Sequence, residues 1–321
     1  MTDHPRVAFS GEPGAFAEDA VMAYFDRPAA VPVPGFREVF DAVSSGRVAT
    51  DAPGDASAGS PAPEPIAAGV VPIENLVNGT VRENYDLLLE HDLVICGEVV
   101  VPVRLVLATL PGQRLEDIER VYSHIQALGQ ADRFLRTQPW SLLTTYNTAG
   151  AGKMIVERDE RGAAAVLSPR AASLFGLEVL AQDIQNVADN RTRFLVVTRP
   201  DRPIEPGWLA HRAPGRSASS EARADGSPTP EIASAPMRTT LVTAVPNEPG
   251  VLHRLLGIFA AAGINMSKIE SRPLHDRAWE YVFWIDLDAD ASDPLARTAL
   301  DELAAAVPML RVLGSYPRDE R

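Results

Sequence analysis

A chain of 321 residues can hold two or three domains, and a hydrophobic share of 45% rules out wholesale disorder. The formal charge of −13 argues against a nucleic-acid or anionic-membrane partner, and it obliges any site for an anion to build its own positive potential. The single cysteine, Cys96, excludes an intrachain disulfide; with no signal-like leader and no apolar run of roughly 18 residues, a soluble cytoplasmic protein is expected.

In chain order, the strand-like RVAFS (6–10) runs into a helical stretch from about Ala15 to Tyr24, and AVPV (30–33) precedes another near 36–46. Residues 49–65 are small and Pro-rich without periodic apolar positions, the composition of a surface insertion. AAGVV (67–71) leads to a helix from about Val81 to Glu90. Further strands are LVICGEVVVPVRLVLAT (93–109), VYS (121–123), LLTTY (142–146), AAAVL (163–167) and FLVVT (194–198), most followed by helical segments. This alternation predicts an α/β fold of mainly parallel sheets covered by helices, and about 200 residues suit two lobes better than one sheet.

Residues 201–237, in a Pro- and Ser-rich tract beginning near 199, read as a linker between a region spanning 1–200 and a C-terminal domain at 238–321. In that domain TTLVTAV (239–245) is a strand, and Val251, Leu252, Leu255, Leu256 and Phe259 mark one face of a helix. Trp279, Tyr281, Phe283, Ile285 and Leu287 alternate with Glu280, Asp286 and Asp288, as in a half-buried strand. Val282 and Trp284 then point to an open face and suggest an interface. A helix near 294–305 and LRVLG (310–314) complete a ferredoxin-like βαββαβ order.

Five motifs carry candidate chemistry. SGEPGAFAEDA (10–20) is a strand, a turn and a helix start: either a plain turn or a place where backbone N–H groups hold a carboxylate or phosphate. In VVPIENLVNGTVRENYDLL (70–88), Glu74 and Asn75 lie just past a strand end, where open α/β sheets place ligands, while Thr80 and Glu83 have capping-box spacing. Ser123 and Gln126 in YSHIQALGQ (122–130) share that spacing and leave His124 in the first helical turn, structural or acid–base. DIQNVADNRTRFLVV (183–197) runs Asn190, Arg191, Thr192 and Arg193 straight into a strand, as a solvated loop or as a carboxylate site built on arginine. NEPGVLHRLLGIF (247–259) opens a helix and INMSKIESRP (264–273) closes a strand. No metal-ligand spacing, P-loop or Ser-His-Asp pattern occurs.

In this order the motifs resemble prephenate dehydratase, from about Arg6 to Thr198 and again from Arg238 to Tyr316. PIEN (72–75), H-x-Q-A-L-x-Q (124–130), N-x-T-R-F (190–194) and I-E-S-R-P (269–273) are the specific pieces. The resemblance implies a two-lobed, periplasmic-binding-protein-like catalytic region and a C-terminal ACT regulatory domain. It implies decarboxylative dehydration of prephenate to phenylpyruvate without cofactor or metal, under feedback by L-phenylalanine. Thr192 is then the main catalytic hydroxyl. Arg193 and backbone N–H groups near Gly11–Phe16, including Gly14, Ala15 and Phe16, are candidates for the carboxylates. Glu74, Asn75, Thr80, Gln126, Thr148, Asn190 and Phe194 are expected around the cleft. The phenylalanine site is expected at Asn247, Gly250, Val251, Leu252, Asn265, Glu270, Ser271, Arg272 and Pro273, shared between chains of a homodimer or homotetramer.

The sequence departs from the family pattern at several positions. Ala15 and Ala17 stand where hydroxyls are usual, and Leu76 follows PIEN in place of Ser or Thr. Ile125 replaces the usual Pro and Ala131 the common Cys. Each lost transition-state hydrogen bond costs ~1–3 kcal/mol. Arogenate dehydratase, the same chemistry on the transaminated substrate, shares the stretch at 84–103 and is not separated from prephenate dehydratase. The missing hydroxyls also leave room for a catalytically decayed phenylalanine sensor.

Overall fold

The computed structural model describes residues 4–48, 65–210, 236–246, 248–273 and 281–320. All but the last residue of the expected insertion at 49–65, the linker core at 211–235, Asn247 and the 274–280 stretch with Trp279 lie outside the described residues. The first elements are β1 (Arg6–Ser10), α1 (Phe16–Tyr24), β2 (Ala29–Val33), α2 (Phe36–Ser45), β3 (Ile66–Asn75), β4 (Gly79–Thr80), α3 (Arg82–Glu90) and β5 (Val94–Pro102). β6 (Val106–Thr109), β7 (Arg120–Ser123), α4 (Ile125–Gln130), α5 (Asp132–Leu135), β8 (Ser141–Thr144), α6 (Thr148–Arg158), β9 (Ala163–Leu167), α7 (Pro169–Leu174) and β10 (Glu178–Ala181) follow, and the chain then enters β11 (Arg191–Thr198).

Two sheets result, with helices packed on them and their central strands buried. The first has the order β2-β1-β3-β11-β5, with β4 paired to β3. β2, β1 and β3 run parallel because α1 and α2 make the crossovers, while β11 returns antiparallel to β3. Nearly every residue of β3 is buried, and at Gly69 a Cβ would press on Val39 and Val43 of α2, so glycine lets the helix lie close. The second sheet has the order β10-β6-β9-β7-β8. Its β8, β7 and β9 are parallel, and β6 and β10 are antiparallel. The two-lobed α/β expectation is met, with the parallel strands grouped together and the returning strands antiparallel. AAAVL (163–167) is fully buried because apolar clusters cover both its faces, Val121 and Trp140 on one and Ile155 with the small residues of α6 on the other.

Two predicted capping boxes do not form. Helix α3 starts after Val81 without a side-chain cap, and Thr80 instead sits in β4 opposite Glu74. At α4 the cap is His124, whose side chain accepts from the Gln126 N–H, while the Ser123 hydroxyl is buried and donates to the Val166 carbonyl. In both places a strand edge reaches the residue before the helix does.

The C-terminal region contains β12 (Met237–Val245), α8 (Val251–Ala261), β13 (Met266–Pro273), β14 (Tyr281–Leu287), α9 (Pro294–Ala306) and β15 (Met309–Pro317). The sheet order β13-β14-β12-β15, antiparallel throughout, is the expected ferredoxin-like one. Leu241, Ile285 and Leu287 pack under Leu255, Phe259 and Leu303 of the two helices.

The other face of this sheet is not open. Val282 and Trp284 are each 1% exposed, so β14 is buried on both sides rather than half-buried. Residues Leu93–Glu98 belong to the same compact unit as this C-terminal region and cover that face. Arg311 donates to the Leu93 carbonyl (3.1 Å), Glu98 pairs with Arg238, and a Cβ at Gly314 would collide with the Ile95 carbonyl. The suggested interface at Val282 and Trp284 is thus filled from within the chain. Among the described residues no helix is long and apolar enough to cross a membrane.

Candidate active site

Asn75 closes β3 directly opposite Thr192, the second residue of β11. Its amide Nδ2 donates to Thr192 Oγ1 (2.9 Å), Asn190 Oδ1 (3.0 Å) and the Arg191 carbonyl (3.1 Å). Its Oδ1 accepts from the Val77 and Asn78 N–H groups, an Asx turn, and from Gln130 Nε2 at 3.5 Å. Asn75, Thr192, Asn190 and Gln130 are all at least nine-tenths buried. Because Thr192 already accepts from Asn75, its own hydroxyl proton is available to another acceptor.

This knot backs onto a pocket of about 380 Å³. The wall carries six carboxamides, those of Asn78, Gln126, Gln130, Gln185, Asn186 and Asn190, beside exposed Val77, Ile125 and Val187. Asn190 is 2% exposed, and its Nδ2 has no hydrogen-bond partner among the described residues. A buried donor without a partner costs ~1–3 kcal/mol, so this amide is held ready for an acceptor from outside the protein. Thr192 adjoins the wall at Asn190: its hydroxyl and Asn190 Oδ1 share the Asn75 amide, so they are no further apart than those two bonds laid end to end.

The second lobe supplies α4 through a fixed scaffold. Asn186 donates to the Gly129 carbonyl (3.1 Å) and accepts from the Arg133 N–H (3.0 Å), which ties the 183–190 segment to the helix. The Gln126 N–H donates to His124 Nδ1 (3.4 Å), and burial lowers the pKa of this imidazole.

Other expected residues lie elsewhere. Arg193 is the strand neighbour of Thr192, so its side chain leaves the opposite face of the sheet, where it pairs with Glu74 at 3.5 Å. The register break in β11 comes only after Arg193 and does not bring it back. Phe194 is core, 2% exposed. The Gly14 N–H is taken by Glu18 Oε2 (2.6 Å) and its carbonyl by the Ser168 hydroxyl (2.9 Å), and a Cβ there would meet Ala171 at under 3 Å. Ala15 and Phe16 pack on the second-lobe clusters. The glycine turn is therefore a lobe-to-lobe contact rather than a ready anion cradle. Thr148 opens α6 half-buried and does not line this pocket.

Sequence reasoning missed Gln130, Gln185, Asn186 and Asn78. The signal was present, since Gln130 ends H-x-Q-A-L-x-Q and the other amides flank the two asparagine motifs, but amides in loops carry no periodicity.

In the C-terminal region, Gly250 adopts a left-handed φ of 79° at the start of α8, next to Val251 and Leu252. Asn265 donates to Asp288 Oδ2 (2.6 Å). Glu270, Ser271, Arg272 and Pro273 end the edge strand β13, opposite Trp284, Phe283, Val282 and Tyr281.

Comparison with known proteins matches the family model of prephenate dehydratase to residues 62–202 and that of the ACT domain to 239–305. Arogenate dehydratase 2 of Petunia hybrida is 36% identical over 98% of this chain and 72% of its own length. The chloroplastic arogenate dehydratase/prephenate dehydratase 2 of Arabidopsis thaliana is 36% identical over 98% and 73%. Among solved structures, a prephenate dehydratase from Arthrobacter aurescens in complex with L-Phe superposes with a TM-score of 0.75 at 30% identity, covering 98% of this chain and 90% of that one. GqqA, described as a novel type of quorum quenching acylase, gives a TM-score of 0.75 at 29% identity and 98% coverage of each chain.

Proposed function

Since the chain belongs to the prephenate and arogenate dehydratase family, we propose that it is a carbon–oxygen lyase that turns prephenate into phenylpyruvate, or arogenate into phenylalanine. In either case the ring carboxylate leaves as CO2 and the ring hydroxyl as water, and aromatisation drives the step. The leaving hydroxyl needs a donor, and the Thr192 hydroxyl is free to donate because Asn75 holds its lone pair. Asn190 Nδ2, Gln126 and Gln130 are the donors for the substrate's remaining oxygens. The observation that carries this reading is the Asn190 Nδ2, without a partner among the described residues, buried in the pocket wall and one shared hydrogen-bond donor away from Thr192. Arg193 and Glu74 act from the far face of the sheet, as supports of β11 and β3.

L-Phenylalanine is proposed to bind the C-terminal domain at Gly250–Leu252 and the end of β13, and to regulate the enzyme. The ACT family match and the L-Phe complex of the Arthrobacter protein support this. A homodimer or homotetramer is proposed to form through the edge strand β13, whose Ile269 is 46% exposed, instead of through Val282 and Trp284.

The test is a paired assay with each substrate on wild type and Thr192→Val, following phenylpyruvate by its alkaline absorbance and phenylalanine by chromatography. One substrate or both should be consumed by wild type, and turnover should nearly vanish in the variant. No turnover of either substrate would leave the sensor reading standing, and a variant keeping more than about half the wild-type kcat would remove Thr192 from the chemistry.

A further inference from the structure

A second cavity, of about 370 Å³, shares no residue with the amide-lined pocket. Phe16 and Ala23 of α1, with Val100 and Val101 at the end of β5, make an apolar wall. Three charged side chains complete it, and they are not equivalent. Arg170, at the start of α7, is divided between Glu18 (3.1 Å) and Asp19 (3.3 Å). Arg104, on the connector from β5 to β6, is exposed and has no hydrogen-bond or ion-pair partner among the described residues. A guanidinium left unpaired beside an apolar wall, in a chain of net charge −13, is the group there that can meet an anion.

Size and charge together narrow the ligand. Small-molecule sites run from roughly 300 to 1,000 Å³, so this one lies at the low end and suits a single ring rather than a nucleotide. Asp19 lines the cavity and Arg170 is already held by Glu18 and Asp19, so a second negative charge on the ligand would meet the Asp19 carboxyl beside an arginine already taken.

We propose that this cavity is a binding site for a small aromatic monocarboxylate, its carboxylate on Arg104 and its ring against Phe16, Ala23 and Val101. The wall draws on both lobes, α1 from the first and α7 from the second, so an occupant holds the lobes at one spacing.

The test is fluorine NMR titration of the full-length protein with para-fluorophenylacetate, on wild type, Arg104→Ala, Ala23→Trp and Gln126→Ala. Saturable binding is expected in wild type and in Gln126→Ala. Arg104→Ala should weaken it by about tenfold or more, the effect of losing one charge-assisted hydrogen bond, and Ala23→Trp should abolish it by filling the cavity. Succinate, a dianion, should not displace the probe. Binding that is unsaturable, lost in Gln126→Ala or unchanged in Arg104→Ala overturns the site, and displacement by succinate overturns its selectivity. Arg104 is exposed, so Arg104→Ala decides alone if Ala23→Trp fails to fold. The readout is binding rather than turnover, so its outcome stands apart from that of the dehydratase assay.

Discussion

Asn75 serves six partners across 117 positions of sequence, and this makes it different in kind from Thr192. Replacing Thr192 with Val removes one of three acceptors from the Asn75 amide, so the fold should lose no more than ~1 kcal/mol while turnover collapses. Asn75→Ala strips the Val77 and Asn78 N–H groups, Asn190 and Gln130 of a partner together, and should cost ~2–4 kcal/mol as well as activity. Denaturant midpoints beside kcat for the two variants check the contrast. Asp19 makes a separate prediction. Burial raises its carboxyl from the ordinary 3.8 to about 6, Arg170 opposes the shift and Glu18 adds to it. The folded state therefore holds the proton more tightly than the unfolded chain. Its contribution to stability is complete below about pH 4 and is lost as pH rises towards 6. Asp19→Asn cannot ionise, so its melting temperature relative to wild type should climb across that window and level off above it. A flat difference would show that Asp19 ionises normally.

Most elements are legible in the sequence because double-faced burial writes itself as runs such as AAAVL and AAGVV, and helices follow at regular spacing. The motif order brings Asn75 and Thr192 into one cleft for the same reason: both stand at strand ends facing the second lobe. What stays hidden is how the cleft is closed. Glu12 accepts from the Tyr146 hydroxyl (2.9 Å) and from Lys153 (3.0 Å), and Ser168 bonds the Gly14 carbonyl, all joining residues more than 130 positions apart. No local pattern encodes such pairs, so the glycine turn reads as an anion site when it is a clasp. The positions of Thr80 and Ser123 mislead for a related reason, since strand pairing outcompetes capping at both. One element-scale prediction follows from β3. The Ile66 N–H donates to the Gly46 carbonyl (2.9 Å), so the chain leaves and re-enters the first lobe at adjacent points. Deleting residues 51–64 shortens a connection whose ends already meet, and loop-closure entropy changes by only ~0.6 kcal/mol per halving of length. Melting temperature and kcat should stay close to wild type, and a large drop in either would give those residues a structural role.

At the scale of the whole molecule, the feature without a sequence signal is the placement of Leu93–Glu98 with the C-terminal sheet, some 140 positions from Arg238. Glu98 is fully buried; Arg238 donates to one of its carboxylate oxygens and the Asp319 N–H to the other. Removing one member of a buried pair strands the other, so Glu98→Ala should destabilise by ~3–5 kcal/mol, whereas Glu98→Met combined with Arg238→Met should cost clearly less. Chemical denaturation of the single and double variants measures the difference, and equal losses would mean that the pair itself matters little. Nearby, Thr240 bonds both Asp286 and Tyr316 on the same covered face. The C-terminal region is therefore not a bead that can be cut free just before Met237. A fragment starting at Met237 keeps its helices and its sheet but sheds a wall, leaving Val282, Trp284 and those polar groups bare, and light scattering should find it clumped or self-paired. Grafting Leu93–Glu98 back onto the fragment as a tethered strand should return it to a single small species.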